Sequence, residues 1–352
     1  MSVAIVGAGV SGLYTASLIK DYDIEVFELK RDVGLIEKCS GLISTETMLR
    51  LKVPHELIDG IYKRILIVLG KKVIEFESND PLAVRVLRSK YEKYLMKRVL
   101  DLGHRLLFKT RVLKVDKAGY VKFYVNGYIK ERKYDYIVIA NGWSSQFVKN
   151  LGLAPIKETL YGVQVFAQQA RRIAEDTITT LHGFLDDGWG WVIPTSNGVL
   201  VGVACRYTPL AILEAFINKL RKMNIVSSIK SRPFGGVIVR GYPKSLVINN
   251  IAAIGDSVSM VKSFTGGGLY SISIAGKELS RALSNGNLIE YEHKLTNLKR
   301  FLKSQYIATK LLLSSRKMLL KELIHVLGNK KAKITAHDYD NHLKALLKLI
   351  FS

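Results

Sequence analysis

A glycine-rich turn near the start of the chain limits the available folds more than any other feature. The segment Gly7-Ala-Gly9-Val-Ser-Gly12 follows the short apolar run Val3–Val6 and precedes a stretch with helical character from Leu13 to about Lys20. Such a turn between a strand and a helix binds the diphosphate of a dinucleotide. The first glycine permits the tight turn, the second lets the phosphates approach, and the third lets the helix lie close to the strand. The phosphates then lie at the helix N-terminus, where free N–H groups attract anions.

An acidic residue follows the second predicted strand. Glu28 ends the run Ile24-Glu-Val-Phe-Glu28, sixteen residues after Gly12. A carboxylate at this place binds the ribose hydroxyls of adenosine, and its charge argues against a 2′-phosphate there. The alternative is an incidental glycine turn.

Two later segments indicate FAD as the dinucleotide. The run from Asp135 to Ser145 resembles the strand-and-turn motif of the para-hydroxybenzoate hydroxylase-like flavoproteins, with Asn141-Gly142 where that motif usually has Asp-Gly. Ile251-Ala-Ala-Ile-Gly255-Asp256 resembles the second FAD fingerprint of the same superfamily, whose Asp binds the ribityl or ribose chain. Thr265-Gly-Gly-Gly268-Leu269 follows and is suited to place N–H groups beside the flavin's pyrimidine edge. The three motifs in this order predict FAD.

The resemblance also implies which residues contact FAD. Arg88 opens a predicted helix, Val84–Leu102, where the superfamily has a basic residue that contacts the cofactor; a solvated surface arginine is the alternative. We predict no metal site. The predicted cofactor-binding residues are Gly7, Gly9, Ser11, Gly12, Glu28, Lys30, Cys39, Ser40, Gly41, Arg88, Val112, Asn141, Gly142, Gly255, Asp256, Gly266, Gly267, Gly268 and Leu269.

Two further stretches resemble the geranylgeranyl reductase family within that superfamily. Lys38-Cys39-Ser40-Gly41-Leu42 lies where the family has a Cys-Gly loop near the flavin. Gly188-Trp189-Gly190-Trp191-Val192-Ile193-Pro194 resembles its Tyr-x-Trp-x-Phe-Pro signature, with Trp189 and Ile193 replacing Tyr and Phe. The resemblance covers roughly residues 1–285, and Ser263 replaces a frequent proline.

This resemblance implies an FAD-dependent reductase, similar to digeranylgeranylglycerophospholipid reductase, that saturates isolated double bonds of polyprenyl chains. Hydride would come from N5 of the reduced flavin together with a proton, and Cys39, Trp189 and Trp191 are the candidate catalytic residues. Trp-x-Trp-x-Ile-Pro is also the signature of flavin-dependent halogenases, so a halogenase or aromatic monooxygenase is the first alternative, and an electron-carrier flavoprotein is the second. The tryptophans could instead pack a core, and Cys39 could be a small buried residue.

The cysteine content and the net charge limit the classes of cofactor and partner that the protein can bind. Cys39 and Cys205, the only cysteines, are far apart, which excludes an iron–sulfur or structural zinc site within the chain and favours a reducing cytosol. The net charge of +23 suits an anionic membrane surface or a solvated lysine-rich surface. We expect a prenylated lipid or quinone as substrate, ferredoxin or NAD(P)H as the external electron donor, and no nucleic acid. The predicted location is cytoplasmic, with peripheral binding at the inner face of the membrane as an option.

The predicted fold class is α/β, with a Rossmann-type FAD-binding domain, an inserted antiparallel β-sheet substrate domain and a helical C-terminal segment. That segment has thirteen Lys or Arg and five Asp or Glu, and Leu311–His325 has an amphipathic basic pattern that suits either a membrane surface or a helix packed on the core. The predicted domains are 1–60, 84–150 and 246–287 for FAD, 61–83 and 151–245 for substrate, and 288–352 for the basic C-terminal segment.

Overall fold

The computed structural model of the chain describes residues 1–144, 146–185, 188–314 and 327–351. The strands are β1 (Ser2–Val6), β2 (Asp23–Phe27), β3 (Leu42–Ser44), β4 (Ile58–Tyr62), β5 (Arg64–Leu69), β6 (Lys72–Glu77), β7 (Ala83–Val86), β8 (Arg105–Leu107), β9 (Arg111–Val115), β10 (Tyr120–Val125), β11 (Tyr128–Lys133), β12 (Tyr136–Ile139), β13 (Ile156–Gln169), β14 (Thr177–His182), β15 (Trp189–Thr195), β16 (Gly198–Cys205), β17 (Val226–Ile229), β18 (Phe234–Tyr242), β19 (Val247–Ile248), β20 (Ile251–Ala253) and β21 (Lys331–Lys333). The helices are α1 (Val10–Ala16), α2 (Thr45–Leu51), α3 (Arg88–Asp101), α4 (Gln146–Asn150), α5 (Pro209–Lys222), α6 (Leu269–Ser284), α7 (Leu288–Lys294), α8 (Thr296–Ser314), α9 (Ala336–Asp340) and α10 (His342–Ile350).

The chain forms two compact units. Unit 1 comprises residues 1–35, 89–158 and 239–306, and unit 2 comprises residues 36–88, 159–238 and 307–352. Unit 1 contains a six-stranded sheet in the order β19-β20-β12-β1-β2-β8. Its strands from β20 to β8 are parallel, and only β19 is antiparallel to its neighbour. The short apolar runs of β1 and β12 are almost fully buried, as expected for central strands of a parallel sheet.

A smaller antiparallel sheet, β11-β10-β9, belongs to the same unit. Buried and exposed residues alternate along its central strand β10, so one face of the sheet is covered and the other faces solvent. Phe123 lies on the covered face, and its ring centroid is 5.0 Å from that of Phe27 in β2.

Unit 2 is built on a large sheet in the order β17-β13-β16-β15-β14-β5-β6-β21, with β18 also paired to β13. Val163, Val201 and Phe216 belong to an apolar cluster on one face, and α5 packs there with its buried leucines and phenylalanine. The other face carries Trp189, Trp191 and Ile193 in a second cluster. The pairs β5/β14 and β6/β21 are parallel, so the predicted antiparallel sheet is in fact mixed.

The boundaries of the units differ from those that we predicted. Residues 36–60 and 84–88 belong to unit 2, because β3 and β4 both pair with β7 in a separate three-stranded sheet. The predicted helix Val84–Leu102 begins only at Arg88, since Val84–Val86 lie in the buried strand β7. Residues 288–306 belong to unit 1, where α7 packs against α6.

The C-terminal residues that the structure describes pack on unit 2. Leu327, Ala332, Ile334, Ala345 and Leu349 are buried in the cluster that contains the two tryptophans. Most of the predicted amphipathic stretch Leu311–His325 lies outside the described residues. Within the described ranges, no helix combines the length and the hydrophobicity that crossing a bilayer requires.

Candidate active site

Four predicted motifs meet at one edge of the parallel sheet in unit 1. Gly7 follows β1, Glu28 follows β2, Asn141 comes shortly after β12, and Gly255 comes shortly after β20. Because these strands are adjacent and parallel, their carboxyl ends lie side by side. Ligands of open α/β sheets bind at this edge. The motifs, although separated by more than two hundred residues in sequence, therefore form one site.

The glycine turn has the geometry that a diphosphate site requires. Gly7 has a φ of 109°, and a Cβ atom there would lie 2.6 Å from the Ala140 carbonyl oxygen. A Cβ atom on Gly12 would lie 2.0 Å from the Gly7 carbonyl oxygen, so α1 can approach β1 only with glycine at that position. In contrast, a Cβ atom on Gly9 would meet nothing within 4 Å. The space beside Gly9, at the N-terminus of α1, is open to a ligand.

Two backbone N–H groups fix the Glu28 carboxylate beside this turn. The Ala8 N–H donates to Oε2 at 3.0 Å, and the Lys30 N–H donates to Oε1 at 2.9 Å. Each carboxylate oxygen can accept more than one hydrogen bond, so both retain capacity for a hydroxyl group. The carboxylate is thus held in place for the predicted ribose contact. Lys30 contributes its backbone to this arrangement.

The later motifs pack against the glycine turn. A Cβ atom on Gly255 would lie 2.9 Å from the Ser11 hydroxyl oxygen, so the Gly255-Asp256 turn lies directly on α1. One carboxylate oxygen of Asp256 lies 3.4 Å from the Cβ position of Gly268, the N-cap of α6. Gly266 and Gly267 form the preceding turn, where the Lys262 N–H donates to the Gly267 carbonyl and the Lys262 carbonyl accepts from the Gly266 N–H.

An orphaned polar atom also points to a ligand at this edge. The side-chain oxygen Oδ1 of Asn141 is buried, and no described residue donates a hydrogen bond to it. A buried acceptor without a donor costs about 1–3 kcal/mol, and a hydroxyl group of a bound dinucleotide is the kind of donor that would satisfy it. Together with the open space beside Gly9, this atom shows that the residues present fit a dinucleotide.

Sequence patterns did not reveal Lys157, which joins two of the motifs. Its ammonium donates to the Trp143 carbonyl at 2.9 Å and to the Ser257 carbonyl at 3.2 Å. Burial lowers the pKa of Lys157, and the nearby charge of Asp256 opposes that shift. Lys157 stands at the start of β13, outside any motif, so only the tertiary structure identifies it.

Three predicted FAD contacts have less distinctive surroundings. Val112 is half-buried in β9, and Gly142 has a φ of 82° in the turn after β12. Arg88 is half-buried at the first position of α3, where the division between the units falls. The structure leaves the roles of these residues as predictions.

The predicted Cys39 loop belongs to unit 2. Cys39 is half-buried, and its sulfur accepts a hydrogen bond from the Gly41 N–H at 3.4 Å. Gly41 has a φ of 80°, and its carbonyl accepts from the Val86 N–H at 2.9 Å. Ser40, between them, is also half-buried. The loop is therefore a fixed turn anchored on β7.

Trp189 and Trp191 lie on the same face of β15, and each is only 8% exposed. The ring of Trp191 lies over Gly202, where a Cβ atom would come within 2.3 Å of it. The indole Nε1 of Trp191 is buried without a hydrogen bond to any residue of the described ranges. Leu42, at the end of the Cys39 loop, packs against the same cluster. Leu42 and both tryptophans thus belong to one apolar cluster of unit 2, and Cys39 lies in the loop that leads to Leu42.

The C-terminal segment contributes two residues to this region that we did not predict. The Asp340 carboxylate accepts hydrogen bonds from the hydroxyls of Ser44 and Thr47, which ties α9 to β3 and α2. Tyr339 packs against the tryptophan cluster, and burial, followed by the charges of Asp340 and other neighbours including Cys39, raises its pKa well above the ordinary range. Only the pairing of distant segments brings these residues near Cys39.

Comparisons with known proteins indicate what this chain is similar to. No family model matches the chain. It is 21% identical to geranylgeranyl diphosphate reductase of Synechocystis sp., over 89% of this chain and 83% of that protein. It is 22% identical to digeranylgeranylglycerophospholipid reductase of Methanococcus aeolicus, over 83% of this chain and 81% of that protein. The chain resembles the geranylgeranyl reductases.

Solved structures confirm the predicted fold class. A geranylgeranyl bacteriochlorophyll reductase-like protein of Thermoplasma acidophilum matches with a TM-score of 0.83 and 17% identity, over 99% of this chain and 95% of that chain. A flavin-dependent brominase matches with a TM-score of 0.73 and 13% identity, over 99% and 94%. At these identities, structural likeness establishes the fold alone. The reductases among the sequence relatives favour the reductase over the halogenase alternative.

Proposed function

We propose that the chain is an FAD-dependent reductase that saturates isolated double bonds of polyprenyl chains, such as the geranylgeranyl chains of an archaeal-type membrane lipid. The observation that carries this proposal is the similarity to relatives named as reductases of geranylgeranyl compounds, over 89% and 83% of the chain. A polyprenyl chain has no polar groups along its length, so an apolar surface is what binds it. Unit 2, whose large sheet has an apolar cluster on each face, is therefore the part of the chain that we assign to the substrate.

In this proposal unit 1 holds FAD. The turn from Gly7 to Gly12 and the N-terminus of α1 bind the diphosphate, Glu28 binds the adenosine ribose, and Asp256 binds the ribityl or ribose chain. When bound and reduced, FAD supplies a hydride from its N5 atom. The residues of this chain orient the cofactor and fix its charge environment.

Unit 2 holds the substrate and keeps water away from it. An unactivated alkene is a poor hydride acceptor, so protonation must run with or ahead of hydride delivery, and water would intercept the cationic character that develops. Trp189 and Trp191 are packed in the apolar core of the large sheet, and we assign them the task of stabilising the wall beside the alkene. Cys39 lies on a fixed turn of the same unit, and we assign its thiol a contact with the reacting region.

The partners follow from the same proposal. The substrate is a prenylated lipid or quinone, and the electrons come from ferredoxin or NAD(P)H, because the sequence has no second Gly-x-Gly-x-x-Gly motif for a resident nicotinamide. We place the protein in the cytoplasm, where an anionic membrane surface would give it access to a lipid.

Mass spectrometry of the products tests the proposal. With chemically reduced FAD and no oxygen, a geranylgeranyl lipid should gain one hydrogen molecule per double bond, without any halide. In parallel, the protein is incubated with indole, halide, reduced FAD and air. A halogenated indole with untouched lipid would replace the reductase by the halogenase alternative. No product in either reaction, with FAD bound and reducible, would favour an electron carrier.

A further inference from the structure

The sheet β9–β11 of unit 1 has a solvent-facing side that the proposed reaction does not use. Its other side is covered: Val115, Val121 and Phe123 are at most 5% exposed. Arg132 also lies on the covered side, where it pairs with the buried Glu25 at 2.5 Å. The sheet is therefore firmly attached to unit 1, and its opposite side is presented to solvent.

The strand register shows which residues share that side. Directly paired residues of neighbouring strands point to the same face of a sheet. Tyr124 is paired with Arg111 and Ile129, so these three side chains lie on one face. Lys122 lies on the same face and is paired with Lys114 and Glu131. Tyr120 pairs with Lys133, whose ammonium lies 5.7 Å from the tyrosine ring. All of these side chains are exposed. We call this surface the outward face: Arg111, Lys114, Tyr120, Lys122, Tyr124, Ile129, Glu131 and Lys133.

The outward face combines three chemical properties. It carries four basic side chains and one acidic side chain, so it attracts anions. Tyr124 and Ile129 are adjacent and 45% and 60% exposed, which places apolar surface among the charges. Tyrosine rings and lysines are the side chains that occupy the headgroup level of a bilayer.

We propose that the outward face is a docking surface for an anionic lipid bilayer. The charges select an acidic partner, and the choice of a bilayer over an acidic protein rests on the proposed polyprenyl-lipid substrate. Lysines held near an anionic leaflet each strengthen binding about fivefold at physiological salt. The tyrosines and the isoleucine then enter the headgroup region and add a contribution that salt does not screen.

Vesicle sedimentation tests this proposal. The full chain loaded with FAD is mixed with vesicles of phosphatidylcholine, with or without phosphatidylserine. We expect binding only to the vesicles that contain phosphatidylserine. The double variant Lys114→Glu/Lys122→Glu should bind these about 25-fold more weakly or worse. Tyr124→Ser should lower the binding that persists at high salt.

A matched control distinguishes an effect of the outward face from an effect of the protein's net charge. Lys93→Glu/Lys97→Glu makes the same charge change at two exposed positions of α3, and it should bind vesicles like the unaltered protein. Equal losses in both double variants would overturn the proposal. So would binding of purified acidic ferredoxin, and not of vesicles, through the outward face. Reduction of detergent-dispersed lipid by Lys114→Glu/Lys122→Glu is measured separately, because it reports the proposed reaction independently of docking.

Discussion

Gly9 and Gly12 provide a paired test of the diphosphate site, because the two glycines meet different constraints. Gly9 has extended backbone angles, φ −76° and ψ 179°, which alanine also adopts, and its Cβ position is open. The Cβ position of Gly12 lies 2.0 Å from the Gly7 carbonyl oxygen. Alanine at position 9 should therefore affect a ligand, whereas alanine at position 12 should affect the protein itself.

The expected magnitudes follow from these contacts. Gly9→Ala reduces the conformational entropy of the unfolded chain, which stabilises the protein by about 0.4–1 kcal/mol. Alanine is also a poorer N-cap than glycine, which costs about the same. The unfolding free energy of the apoprotein should therefore change little. The new methyl group displaces the diphosphate and removes at least one charge-assisted hydrogen bond, about 1.5–3 kcal/mol. The Kd of FAD should rise roughly 10- to 100-fold. In Gly12→Ala, overpacking should destabilise the apoprotein by about 1–3 kcal/mol or more.

Thermal melting of the apoproteins reports the change in stability, and fluorescence titration with FAD measures the Kd. Gly9→Ala should melt like the unaltered protein and bind FAD poorly. If Gly9→Ala instead binds FAD with unchanged affinity, the open space beside Gly9 is not where the diphosphate lies, and the assignment of unit 1 to FAD loses its basis.

Three further predictions concern single side chains. Lys157→Met removes the hydrogen bonds from a charged group to the Trp143 and Ser257 carbonyls, so it should destabilise the apoprotein by about 1.5–3 kcal/mol and, by loosening the two motifs, also weaken FAD binding; Lys157→Arg should restore part of both the melting temperature and the affinity. Burial alone would raise the pKa of Asp338, but hydrogen bonds from Lys348 and the N-cap hold it below its usual range. Its stabilising contribution is therefore complete above about pH 4 and lost as the pH falls, so the melting temperatures of the unaltered protein and Asp338→Asn should converge in acid. Cys39→Ala should keep FAD bound but slow alkene reduction, and unchanged turnover with an unchanged flavin spectrum would leave Cys39 a packing role.

The cofactor motifs could be predicted because each one is local. A turn such as Gly7–Gly12 has its spacing written in consecutive residues, and the strand before it is a short apolar run. Parallel topology then brings Glu28, Asn141 and Gly255 to the same edge without further information. This part of the candidate site followed from sequence patterns alone.

The remaining parts depend on contacts between distant segments. Val84–Val86 was predicted as helix, because a short apolar run has no periodicity that separates a buried strand from a helix. Lys157 and Asp340 belong to no motif, and their roles depend on which carbonyls and hydroxyls the fold places beside them. The helices of the C-terminal segment were predicted from the sequence. Strand β21 was not, since three residues are too few to form a recognisable pattern.

Strand β21 has a consequence for the solubility of the protein. It pairs in parallel with β6 through Lys331, Ala332 and Lys333, and the Lys331 ammonium also contacts Glu77 at 2.6 Å. Without it, the backbone N–H and C=O groups of β6 would form an open edge six residues long, and such edges recruit strands from other molecules. With β21 present, this short lysine-rich strand forms the edge of the sheet instead of β6, and it is a poor template for further pairing. A chain truncated before Lys331 should therefore self-associate, even with every residue of the cofactor site intact.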